Sequence, residues 1–270
     1  MKIIETTLYS LPENKRNAQI INADWNKEYG LLAVIKNGDE YEILLNKYAI
    51  YPGFEVDYPL ARWIDEQRII LVNPINEENI HNAFVIDRSG NIQGSFNCGD
   101  CIKDVSPSDN GIWVSYYDEG VFGEGISTEG LVHLDLNGKP TFKFNSELRN
   151  KIEIDDCYAI NGDVKNRLWL CPYPEFELVH MEGSKVDSTY NVPKKLYGSN
   201  AISIREGNAF FYSPYDAEDT VYIWSYKEEK EPIIIGELKS ERVRGLRSRG
   251  KDLFIGIDSS NITLFKVESL

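Results

Sequence analysis

Short runs of Val, Ile, Leu and aromatic residues recur along the chain, bounded each time by Gly, Asn, Asp or Pro. That is the punctuation of β-strands. The most continuous apolar runs are 31–35, 69–73, 112–116, 168–172, 210–213 and 253–257. An unbroken apolar run of this length reads as a strand covered on both faces. Each is followed by a turn and a second apolar segment, at 41–45, 83–87, 131–135, 178–182, 221–225 and 262–266. With Ile43, Phe84, Val132, Val179, Ile223 and Leu264 taken as equivalent, the intervals are 41, 48, 47, 44 and 41 residues. A period of roughly 44 residues is that of a four-stranded propeller blade.

The remaining two strands of each unit are legible around this pair. A shorter, more polar segment precedes it, at 19–23, 60–65, 101–106, 157–161, 201–205 and 242–247. Polar character suits an innermost strand that lines a hydrated channel. A fourth strand follows at 91–96, 140–144 and 232–237, introduced by turn sequences such as Ser89-Gly90-Asn91 and Asn137-Gly138. Those residues accept positive φ. The last unit runs out of chain after its third strand, whereas residues 2–8 form a spare apolar-polar strand before the first unit. Pairing the two closes the ring and removes an open edge.

The pattern therefore predicts an all-β, six-bladed β-propeller of four-stranded blades, closed by the N-terminal strand. It forms one domain over residues 1–270. The blades fall near 15–56, 57–98, 99–147, 154–194, 198–238 and 241–270 with 2–9. The best helical candidate is short, 147–153. A large β-sandwich, the alternative all-β solution, requires neither six near-equal units nor a spare first strand.

Charge narrows the partners. With 29 basic and 43 acidic residues the net charge is −14. This disfavours nucleic acid and anionic membrane, and favours a cationic, metal or basic-protein partner beside its plain effect on solubility. Four cysteines make no disulfide framework, no run is long enough to span a bilayer, and residues 1–7 lack the apolar core of a signal peptide. A cytoplasmic location is expected.

Function in such a ring concentrates on loops of one face, those joining the second strand to the third and the fourth to the next first. Most second-to-third loops are short or medium; the twelve residues 118–129 are the longest. They carry Asp118, Glu119, Phe122, Glu124 and Glu129 with Gly120, Gly123 and Gly125. The same face is expected to hold Glu77, Glu78, Glu175, Asp216, Glu218, Asp219 and Asp258. Asp57, Asp100, Asp155 and Asp156 join them from the fourth-to-first loops. The aromatics Tyr116, Tyr117, Tyr173 and Tyr215 lie at its strand ends and loops. Aromatic rings rimmed by carboxylates suit protein or cationic ligands.

Catalytic signatures are weak. Gly120-Val-Phe-Gly123-Glu-Gly125 is no phosphate cradle, because its glycine order is wrong and its carboxylates repel phosphate. No EF-hand loop occurs, so calcium rests only on the general oxygen chemistry of Asp100, Asp118 and Asp156. Cys98-Gly99-Asp100-Cys101 lacks a second metal-ligand pair, and Cys157 and Cys171 suit burial. His133 and His180 share a third-strand packing position, Trp113 and Trp169 a second-strand one, and no Ser-His-Asp set assembles.

Asp104-Val-Ser-Pro-Ser-Asp-Asn-Gly-Ile-Trp-Val-Ser-Tyr-Tyr-Asp-Glu-Gly-Val-Phe-Gly123, continued by Gly130-Leu-Val-His-Leu-Asp135, resembles a string of uncharacterised bacterial propeller-like proteins. The resemblance covers most of one unit and implies no activity. Calcium-dependent lactonases and gluconolactonases are analogues in architecture alone. The expected function is a non-enzymatic binding propeller with no cofactor. Its candidate contacts are Tyr117, Asp118, Glu119, Phe122, Glu124, Asp100, Asp156, Tyr173 and Tyr215. The alternative is a calcium- or other metal-dependent hydrolase using Asp100, Asp118 and Asp156; a structural subunit of an assembly is a third reading.

Overall fold

A computed structural model of the chain describes residues 1–15, 17–76, 78, 80–148, 150–163, 166–205, 207–228, 230–247 and 251–268. The first strand, β1 (Ile3–Ser10), stands apart in sequence from its sheet. Blade one is β2 (Ala18–Asn26), β3 (Gly30–Asn37), β4 (Glu40–Leu45) and β5 (Tyr48–Ile50). Blade two is β6 (Leu60–Trp63), β7 (Arg68–Val72), β8 (Ala83–Asp87) and β9 (Ile92–Phe96). Blade three is β10 (Ile102–Ser108), β11 (Gly111–Tyr116), β12 (Leu131–Leu134) and β13 (Pro140–Lys143), with helix α1 (Asp118–Val121) between β11 and β12 and helix α2 (Phe144–Leu148) after β13. Blade four is β14 (Asp156–Gly162), β15 (Arg167–Tyr173), β16 (Glu177–Glu182) and β17 (Lys185–Asn191). Blade five is β18 (Ala201–Arg205), β19 (Asn208–Tyr212), β20 (Thr220–Trp224) and β21 (Ile233–Glu237).

The sixth blade closes the ring. It holds β22 (Arg242–Gly245), β23 (Asp252–Ile257) and β24 (Asn261–Val267), and β1 adds as its outer strand. The pairing is antiparallel, from Ile3 opposite Val267 to Ser10 opposite Asn261. The six-bladed, all-β propeller and its N-terminal closure are as expected. The short helix is displaced toward the N-terminus, to Phe144–Leu148, where Phe144 is buried against the third and fourth blades.

Six hydrophobic clusters fill the six gaps between neighbouring blades, and the period-two alternation of each central strand serves two of them. In β3, Leu31, Ala33 and Ile35 pack toward blade six, while Leu32 and Val34 pack toward blade two. Trp113 faces Phe142, Leu168 and Leu170 in the gap between blades three and four. Phe210 and Phe254 meet between blades five and six. The histidine positions are equivalent in register too, with Trp113 opposite His133 and Trp169 opposite His180. His133 is buried between Ser108 Oγ at 2.9 Å and Thr141 Oγ1 at 2.6 Å; His180 stacks on Trp169. Both therefore pack and bridge within their blades. No described helix is long and apolar enough to cross a membrane.

Candidate functional site

The longest loop of the mouth face is folded. Residues 118–129 form α1 and a tight turn, Gly125–Glu129, packed on the Cys98–Cys101 stretch. Tyr117 N donates to Cys101 O at 2.9 Å, and Ser127 Oγ donates to Asp100 O at 2.9 Å while accepting Asp100 N at 2.8 Å. Glu129 is buried and accepts Ser146 N and Oγ. Gly120 is needed for the approach, since a Cβ there would sit 2.8 Å from Asp100 O. The side chains of Asp118, Glu119, Glu124 and Phe122 remain exposed, the last at 73%. Tyr116, expected at the face, is fully buried and its hydroxyl donates to Cys98 O at 2.7 Å.

The predicted carboxylates divide. Asp100 accepts the backbone N–H groups of Asn76 at 2.6 Å and Cys101 at 2.7 Å, so it holds loops together. Asp156 is pushed above the usual carboxylate range, first by desolvation; Lys103 opposes this, and Asp118 and Glu119 add to it. Its Oδ1 is buried and meets no hydrogen-bond partner among the described residues. Asp118, Glu119 and Asp156 thus share one neighbourhood with Lys103, whose ammonium lies 4.4 Å from the Tyr117 ring centre. Among the described residues no three His, Cys, Asp or Glu side chains gather as metal ligands. The thiols of Cys98, Cys157 and Cys171 are buried, and burial pushes all three far from the thiolate. Glu77 lies outside the described residues.

Tyr173 and Tyr215 are joined by three rings that the sequence did not single out. Phe176 stacks on Tyr197 at 4.1 Å and on Tyr158 at 5.8 Å. Tyr173 and Tyr215 meet Phe176 edge-on at 5.5 and 6.2 Å. The Tyr158 and Tyr215 hydroxyls are hydrogen-bonded, and Tyr158 is pushed upward by burial first and by that bond second. Phe176 adopts φ of 51°, a left-handed backbone that costs a bulky residue energy and recurs at functional sites. Tyr215 packs against Gly198, where a Cβ would come within 2.3 Å of the ring, and stays 62% exposed.

The face opens into a channel cavity of about 710 Å³. Tyr117 and Tyr158 stand on its wall, with Glu218, Asp219, Glu241 and Asp258 contributed by blades five and six. Arg62, Lys103, Arg242 and Arg244, from the first strands, also line it. The basic interior is a feature the sequence reading missed. Its signal was present, because several polar first strands carry arginine at their centre or end: Arg62, Arg205, Arg242, Arg244 and Arg247.

In shape the chain is similar to the AfRom2 CNH domain, with a TM-score of 0.57, 9% identity and coverage of 99% of this chain and 100% of that one. It is also similar to a catalytically inactive virginiamycin B lyase from Staphylococcus aureus with quinupristin (TM-score 0.55, 9% identity, 98% of this chain and 100% of that one). A streptogramin B lyase gives 0.56 at 9% identity, covering 99% and 88%. No family model and no curated protein sequence matches the chain. At such identities the likeness shows the propeller fold alone, and neighbours with such different names leave function to be argued from the site.

Proposed function

We propose that this propeller is a binding module whose mouth face captures a cationic group, a Lys- or Arg-bearing protein segment or a small cation. The observation that carries the reading is the juxtaposition of the exposed Tyr117 ring with the exposed carboxylates Asp118 and Glu119. The charges of both reach the half-buried Asp156, which lies opposite the exposed Tyr173 in its sheet. The chain itself supplies two examples of the proposed contact. Lys103 sits over Tyr117, and on the same face Lys36 lies 4.3 Å from the Tyr58 ring centre. Cation–π contacts of this kind contribute about 0.5–2 kcal/mol each, more where water is excluded.

The test is a fluorescence-anisotropy titration with a Lys/Arg-rich peptide and a Glu-rich peptide of equal length. The basic peptide is expected to bind, with affinity falling about tenfold or more in Asp118→Lys/Glu119→Lys and in Tyr215→Ala. The reading fails if the wild type shows no saturable binding to the basic peptide. It also fails if the folded charge-reversed variant binds it equally well.

A further inference from the structure

Blade one has the shortest outer strand of the ring. β5 runs only from Tyr48 to Ile50, opposite Leu45 to Ile43, whereas β4 begins at Glu40. The outer edge of β4 is therefore open over residues 40–42. Asn46 N donates back toward β3, to Leu31 O at 2.8 Å, so by the alternation of an antiparallel ladder Leu45, Ile43 and Tyr41 direct their peptide groups outward. β5 meets the first two. The peptide groups of Tyr41 have no backbone partner on that side among the described residues. An open strand edge is a template for pairing with another chain.

Beyond Ile50 the chain leaves the sheet, and a groove opens between it and β4. Its cavity of about 380 Å³ is the size of a ligand pocket. Tyr41, Tyr51 and Phe54 line it together with Asp39, Glu40 and Glu55. Tyr51 is 65% exposed, and all three carboxylates are exposed. Among the described residues no cation lines the groove. Two lysines near it are engaged: Lys15 pairs with Glu42, and Lys36 lies over the rings of Tyr41 and Tyr58, at 5.1 and 4.3 Å. Phe54 is steadied by Phe84 of blade two, with 4.6 Å between ring centres. An unpaired peptide edge, an exposed ring and uncompensated negative charge thus meet in one open space.

We propose that this groove takes a short extended segment of a partner protein that alternates Lys or Arg with aliphatic residues. Such a segment adds to the edge of β4 at Tyr41, the mode in which strand addition supplies affinity through the main chain. Its cations meet Asp39, Glu40 and Glu55, and its aliphatic side chains cover Tyr51 and Phe54. Charge selects the occupant: the carboxylates attract a basic segment, and the net charge of −14 opposes a second copy of this chain. The groove belongs to blade one and does not rest on what the rim of Tyr117, Asp118 and Glu119 binds on blade three.

Fluorescence anisotropy with a labelled Lys-Val-Lys-Val-Lys peptide tests this. It is read on the wild type and on Asp118→Lys/Glu119→Lys, whose blade-three rim no longer attracts cations, so that failure here leaves the reading of that rim untouched. Saturable binding is expected in both. Glu40→Lys/Glu55→Lys and Tyr51→Ala, each made in the second background, should weaken it about tenfold. A probe with every backbone amide N-methylated keeps its charge and loses its donors, and should bind about fivefold more weakly or worse. The proposal is overturned if the Asp118→Lys/Glu119→Lys protein shows no saturable binding up to about 1 mM. It is also overturned if both folded groove variants bind as their parent does, or if the N-methylated probe binds equally well. Self-association in sedimentation velocity that Tyr51→Ala abolishes would assign the groove to a second copy and overturn it too.

Discussion

Three arginines of the ring, Arg244, Arg247 and Arg62, converge on the carboxylate of Asp24, and its neutralisation is an informative perturbation of the fold. It is 3% exposed, pairs with Arg244, and accepts the backbone N–H of Trp63 at 3.0 Å and of Trp25 at 2.9 Å. Burial alone would raise its pKa; the fields of Arg244, Arg247 and Arg62 and the Trp63 N–H outweigh burial and hold it below the ordinary 3.8. In Asp24→Asn one oxygen becomes an amide donor, so either Arg244 or a tryptophan N–H faces another donor. Breaking a buried pair in this way costs about 3–5 kcal/mol. At roughly 2 °C per kcal/mol for a chain of this size, Tm falls by about 8 °C. Urea and thermal denaturation at pH 7 measure it. The sign with pH follows from the depressed folded-state pKa: the carboxylate's contribution is complete above 3.8 and is lost as pH falls through the lower native value. Wild type and variant should therefore converge in acid. A loss below about 1 kcal/mol at pH 7, the size of a surface pair, would refute the argument that Asp24 anchors the ring.

Removing residues 1–10 strips β1 from β24 and exposes the edge that carries Leu264 and Phe265. The truncated protein should unfold at lower temperature and show concentration-dependent association by light scattering. Trp113→Ala empties the gap between blades three and four and should cost about 3–5 kcal/mol in urea denaturation, with Phe142 and Leu168 losing their partner. His133 is pushed down to about 4 by burial, so the unfolded chain binds a proton that the native one refuses. Stability should fall as pH drops from about 6.5 toward 4, with a slope of up to about 1.4 kcal/mol per pH unit. Folded His133→Gln should lack that part of the slope in denaturation curves taken across the range.

The blades were readable because their cause is local. Leu31 to Ile35 alternates between two interblade gaps, and the same apolar run repeated six times leaves a ring as the economical solution. Closure by β1 was readable from an excess strand at one end and a deficit at the other. The length, acidity and glycines of loop 118–129 were legible; its packing on the Cys98–Cys101 stretch was not. Gly120 is there for close packing on Asp100, a contact between positions twenty residues apart that no local pattern announces. Tyr116 was placed on the face for a related reason: it ends a strand, and only the position of Cys98 O draws it inside. Tyr173 and Tyr215 were legible as exposed aromatics, whereas Tyr158, Phe176 and Tyr197 count only once blades four and five stand side by side. The arginines were visible as polar residues of inner strands. Their convergence on Asp24 spans more than two hundred residues of sequence, between Asp24 and Arg244, and depends on the ring being closed.

Charge is layered across the channel in a way that bears on what can occupy it. The protein is acidic overall, and the carboxylates of its mouth draw cations toward the tyrosines. The guanidiniums beneath oppose their further descent. On the proposed reading, a cation would be held at the level of Tyr117 and Tyr158, where the two fields meet and a ring face offers the remaining attraction.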